Sequence, residues 1–157
     1  MKIKYIEEAK PFWDSGQPLK AGEILYEHIR EIHRPLWAKE VLELCIPLTG
    51  RIKEVEEVVG ITKDPERWKE AHDAFSAVRD LTLKAEGKGV DSIYSSILYL
   101  AENVAKVTYN ASGESAPFDH DSGYWIVSNL RYIVDQKQDE SFEKQAWHIV
   151  SCEKYAA

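Results

Sequence analysis

At 157 residues and 18.0 kDa the chain is sized for one domain, long enough to bury a core without disulfides or a structural metal. Hydrophobic residues at 44% and charged residues at 30% argue against global disorder, and no uninterrupted apolar run is long enough to span a membrane. A formal net charge of −7 with a pI near 5.3 argues against a phosphate-tracking, nucleic-acid-binding surface and suits either plain solubility or a basic protein partner.

The opening "MKIKYIEEAK" carries charge at both ends and has no apolar core segment, so it does not read as a signal peptide and the expected compartment is the cytoplasm. "MKIKYI" alternates like a strand, but Ile3, Ile6 and Trp13 also fit a short helix broken by Pro11, which is the preferred reading. "DSGQP" then reads as a turn, which leaves Trp13, beside Pro11 and Gly16, as a candidate aromatic anchor on a binding surface. "LKAGEILYEHIREI" follows as a helix with Ile24, Leu25, His28 and Ile32 on an inward face, and Asn103 is the candidate polar partner for a buried His28.

Pro35 is placed to start the next helix, with Trp37, Val41, Leu44 and Cys45 inward and Pro47 ending it. "RIKEVEEVV" repeats the pattern, and Gly60 is expected to close it. In "DPERWKEAHDAFSAVRDLTLKAEG", Asp64 is the expected N-cap, Pro65 the first helical residue and Gly87 the terminator. Asp91 should cap "SIYSSILYLAENVAKVTYN", which is apolar nearly all round and therefore central. A loop precedes a helix over about residues 121–134, and a last helix runs over about residues 139–155. The absence of alternating strand patterns and hairpin dipeptides predicts an all-α bundle of about six or seven helices in a single domain over residues 1–157, with no sheet.

"APFDHDSGYWIVSNL" holds Asp119, His120 and Asp121 side by side. Asp and Ser cap helices, so either carboxylate should accept from the free N–H groups of the next turn. His120 would then sit between the two acids at an interaction surface, or turn inward toward His72.

An early histidine (His28 or His33), the His72-Asp73 pair and a distant acid (Asp119, Asp121 or Asp135) occur in an order that resembles the HD-type metal-dependent phosphohydrolases, which are all-helical. The resemblance implies a divalent metal held by His28, His72, Asp73 and Asp121, and a metal-bound hydroxide as nucleophile. Read from the residues alone, His72 lies four after Trp68 and three before Phe75, at the edge of an apolar face that suits a structural histidine. His148 and Cys152, four apart, could present two ligands to zinc or simply pack. Cys45 and Cys152 lie within helix-like patterns and read as reduced thiols. The "NAS" at Asn110 would count as a glycosylation acceptor only in a secreted protein.

The preferred reading is a non-enzymatic, acidic domain that binds another protein, similar in size and texture to all-helical immunity proteins, with no cofactor. It expects Glu54, Glu56 and Glu57 to gather on one surface. The alternative is the metal-dependent hydrolase.

Overall fold

The computed structural model describes residues 2–87 and 92–157. Eight α-helices run in chain order among them: α1 Lys2–Asp14, α2 Pro18–Glu27, α3 Arg34–Cys45, α4 Lys53–Lys63, α5 Ala71–Glu86, α6 Ser92–Ala111, α7 Ser122–Lys137 and α8 Glu140–Val150. The fold is all-α, with one more helix than the upper expectation and no sheet among the described residues; the extended chain makes only an isolated antiparallel bridge between Ile29 and Ala156. No helix among the described residues is long and apolar enough to cross a membrane.

Helix α6 is the axis, because it alone is apolar over most of its circumference. It packs against α3, α4, α5 and α7, and Ile97, Leu98, Leu100, Ala101, Val104 and Ala105 are fully buried. The Asp91 cap expected for it lies outside the described residues. Burying α6 also encloses polar groups, and they are paired as the low dielectric demands. Thr62 and Thr108 hydroxyls meet at 2.9 Å, and Thr82 donates to the buried Glu102 carboxylate at 2.6 Å.

Several boundaries differ from the sequence expectation. Pro11 lies in the last turn of α1 without breaking it, and the helix runs on to Asp14. Gly60 sits inside α4, which continues to Lys63; there Asp64 leaves the helix and its side chain accepts from Glu66 N–H at 3.1 Å. The Asp64 cap expected for one long helix is thus real, but a 3-10 segment, Pro65–Glu70, precedes α5. Helix α8 stops at Val150, whose carbonyl accepts from the Trp37 indole at 3.1 Å.

The largest departure is the end of α2. The apolar period runs on through Ile32, but the helix stops at Glu27 because the C-terminal segment competes for the backbone. Ala157 N–H donates to His28 carbonyl at 2.8 Å and Arg30 N–H to Tyr155 carbonyl at 3.1 Å. Ile32, expected inward, is 66% exposed, while Ile29 takes its place in the core.

Candidate functional site

Two helical glycines create the most chemically concentrated region. Glycine is unfavourable inside a helix, so its presence there marks a close approach. A Cβ at Gly22 on α2 would collide with the Tyr124 backbone of α7, and one at Gly123 with the Tyr26 ring. With no Cβ on either residue, α2 and α7 cross nearly backbone to backbone, which brings the C-terminal turn of α2 against the N-terminal turn of α7.

The crossing assembles a carboxylate with two donors. Tyr124 hydroxyl donates to Glu27 Oε1 at 2.6 Å, and His120 Nε2 contacts the same oxygen at 2.5 Å. A carboxylate only accepts, so the imidazole carries its proton on Nε2. Burial pushes the Glu27 carboxyl up, but these two hydrogen bonds, with the charges of His120 and Arg34, outweigh it and hold the group below the ordinary glutamate range. Tyr124 responds in the opposite sense, its phenol pushed up to about 12 by burial and by the Glu27 hydrogen bond. Tyr26 closes the inner side, 5.5 Å from the His120 ring and 5.9 Å from that of Tyr124; burial pushes its phenol up to about 12 as well.

Behind His120 a cleft of about 220 Å³ opens, lined by Tyr26, Glu31, Arg34, Phe118 and His120 with parts of α6. Arg34 is its charged wall. The guanidinium lies 4.3 Å over the Tyr26 ring and Nη2 reaches the Tyr26 carbonyl at 3.4 Å, but Nε is buried without a partner. The opposite wall is the loop before α7. Asn110 fixes it through both amide atoms, accepting from Phe118 N–H at 2.8 Å and donating to Phe118 carbonyl at 3.0 Å.

The outer side of the same crossing is largely apolar, with the Lys20–Glu23 ion pair, 3.5 Å, in its lining. Trp125 is 44% exposed and shares a groove of about 520 Å³ with Leu19, Pro18 and Tyr124; Tyr132, two turns along α7, is 55% exposed. Asp119 and Asp121 are exposed, and neither carboxylate makes a hydrogen bond or ion pair among the described residues.

The expected site residues distribute differently from the sequence reading. Asp121 occupies the N-cap position of α7 but makes no side-chain cap, and Asp119 contributes its backbone carbonyl, which accepts from the Ser122 hydroxyl at 2.8 Å. His120 neither floats between the acids nor meets His72; it turns to Glu27. His72 and Asp73 are exposed on α5, with the His72 ring stacked on Phe118 at 5.3 Å and edge-on to Tyr109 at 5.3 Å. His28, expected in the core, is exposed, stacks on Tyr5 at 4.4 Å and donates from Nδ1 to the Ile24 carbonyl at 2.8 Å. Asn103, its expected partner, bonds Asn129 instead. Asp135 is paired with Arg131 at 2.7 Å. His28, His72, Asp73 and Asp121 therefore do not converge, and no group of three metal-donor side chains gathers among the described residues.

Trp13, expected on a surface, is fully buried against Trp147 with Arg131 over its ring, because α1 continues past Pro11 and turns the indole inward. His148 and Cys152 do not share a helix, since α8 ends between them. Glu56 pairs with Arg51 and Glu57 with Arg67, each at 2.8 Å, so two of the three acids expected to gather there are ion-paired. His33 is half-buried against Tyr155.

No protein-family model matches the chain, and neither a curated protein nor a solved structure does. Sequence reasoning missed Glu27, Arg34 and Asn110. The usable signal was the pair of helical glycines, each one to four residues from a tyrosine that ends up in the cluster.

Proposed function

We propose that this protein is a protein-binding domain whose recognition surface is the outer side of the α2–α7 crossing. The observation that carries the reading is Trp125, a large indole held 44% exposed on a rigid helix beside an apolar groove. Exposed aromatic side chains seated next to a pocket are where binding energy concentrates. Asp119 and Asp121, just before and at the start of the helix that carries Trp125, are exposed and unpaired among the described residues, so the fitting partner presents an apolar side chain bordered by lysine or arginine. An immunity or antitoxin-like factor masking a basic effector is a role of this kind. We place it in the cytoplasm, where the free thiols of Cys45, pushed up to about 12 by burial, and Cys152 would stay reduced.

A photo-crosslinking amino acid at position 132, introduced in the host cell, tests the reading. The expected result is an adduct with a basic protein that Trp125→Ala abolishes and the double variant Asp119→Asn, Asp121→Asn weakens by about tenfold, with thermal melting unchanged. No adduct, adducts indifferent to Trp125→Ala, or adducts only with a second copy of this chain would overturn it.

A further inference from the structure

The inner cleft carries a separate inference, independent of the surface on the other side of the crossing. Its wall charges are unlike in sign and only loosely matched. Arg34 has a side chain 13% exposed, and its nearest carboxylate oxygen, Glu27 Oε2, is 4.0 Å away. The other Glu27 oxygen is already occupied by Tyr124 and His120. Nε is buried without an acceptor and closed off from the cleft, and Nη1, which makes no hydrogen bond among the described residues, is the guanidinium nitrogen left for a ligand. Three residues before Arg34, Glu31 also lines the cleft and makes no ion pair with any described residue. The remaining lining, Val107, Ala111, Pro117 and Phe118, is apolar.

A simple anion would satisfy Arg34 but meet two carboxylates, Glu27 and Glu31, nearby. A molecule with a carboxylate and an ammonium answers both charges at once. At about 220 Å³ the cleft lies below the usual range of drug-sized sites, roughly 300–1,000 Å³, so the occupant is small.

We propose that the cleft binds an α-amino-acid zwitterion, with its carboxylate on the Arg34 guanidinium, its ammonium on Glu31 and a short apolar side chain against Val107, Pro117 and Phe118. A charge-assisted hydrogen bond from a guanidinium to a carboxylate is a strong one, and neither charge need be left unpaired in the bound state. Asn110 contributes shape, since both its amide atoms are used in holding Phe118.

The test titrates valine, leucine and methionine into the isotopically labelled protein while the amide resonances of Arg34, Asn110 and His120 are followed. At least one should bind saturably. For the best of them, the carboxamide and the N-acetyl derivative should each bind about tenfold more weakly or worse. Glu31→Gln, at an exposed position that does not endanger folding, should weaken the free amino acid and leave the N-acetyl derivative unchanged. Arg34→Lys should weaken the amino acid and leave the carboxamide unchanged. No saturable shift with any of the three, equal binding of amino acid and derivatives, or tighter binding of the N-acetyl form would overturn the proposal.

Discussion

His72 packs against the loop that carries His120, and the two live in opposite chemistries. His72 packs its ring on Phe118 and Tyr109 with no charged partner, whereas His120, two residues beyond Phe118, meets a carboxylate that also holds a tyrosine hydroxyl. The same side chain is a packing surface in one place and a proton-bearing donor in the other. What separates them is what each is pressed against: α6 and the loop offer His72 the rings of Tyr109 and Phe118, while the glycine crossing of α2 and α7 offers His120 the Glu27 carboxylate. A histidine next to an aspartate in sequence therefore says little about where acid and imidazole will meet.

Removing the crossing should break the His120 side while sparing the His72 side. Gly22→Ala forces a methyl group into the Tyr124 backbone, which cannot step aside, and should cost about 3 kcal/mol or more. Gly123→Ala presses on the buried Tyr26 ring and should cost nearly as much. Gly60→Ala is the matched control. Also within a helix, it meets nothing nearer than an Arg67 guanidinium nitrogen at 3.9 Å, so helix propensity alone acts and stability rises by roughly 0.5–1 kcal/mol. Urea unfolding midpoints of the three variants check the order; a Gly22→Ala protein as stable as the parent would dissolve the account of the site.

Asn110→Ala should strike both sides together. It removes two hydrogen bonds to the Phe118 backbone and should cost about 2 kcal/mol. Because Phe118 stacks on His72 and the same loop carries His120, the ring resonances of both histidines should move in this variant. If only one moves, the loop does not couple them.

How far the sequence exposes this arrangement depends on which forces set each part. The α5 region was readable because its signals are local: Asp64 before Pro65 at one end, Gly87 at the other. The burial of α6 followed from a side-chain pattern that no surface position could accommodate. The end of α2 was hidden, since it is set by Tyr155, Ala156 and Ala157, more than a hundred residues away in sequence. His28 and Ile32 were misplaced for that reason, and Trp13 because α1 runs on through Pro11 to Asp14. The Glu27–His120–Tyr124 cluster is long-range in the same sense: nothing near residue 27 announces residue 120. Only Gly22 and Gly123 carried a readable trace of it, as residues that local helix stability disfavours.

Exchanging each histidine for phenylalanine sharpens the contrast at smaller amplitude. His72→Phe keeps a flat ring on Phe118 and Tyr109, so stability should stay within about 0.5 kcal/mol of the parent. His120→Phe also retains an aromatic ring beside Tyr26 but takes a donor from Glu27, and should cost about 1 kcal/mol. Equal losses in the two variants, measured by chemical denaturation at neutral pH, would mean that the carboxylate contact adds nothing to ring packing.

The smallest effect isolates the charge itself. Glu27 is held below the ordinary glutamate value of 4.5, against the upward push of its burial, by Tyr124 and His120. A carboxyl whose folded value is depressed contributes stability that is fully present above its unfolded value and is lost as pH falls through the folded one. The window therefore lies below pH 4.5. Since the Glu27 side chain is 42% exposed, solvent screening keeps the contribution to a few tenths of a kcal/mol, about that of a surface pair. Tyr124→Phe removes one of the two donors, so the Glu27 side-chain carboxyl carbon should titrate at higher pH than in the parent, while no carboxylate near His72 should move. An unchanged Glu27 titration would show that the short contacts at Oε1 do not favour the ionised form, and the distinction between the two histidines would then reduce to geometry.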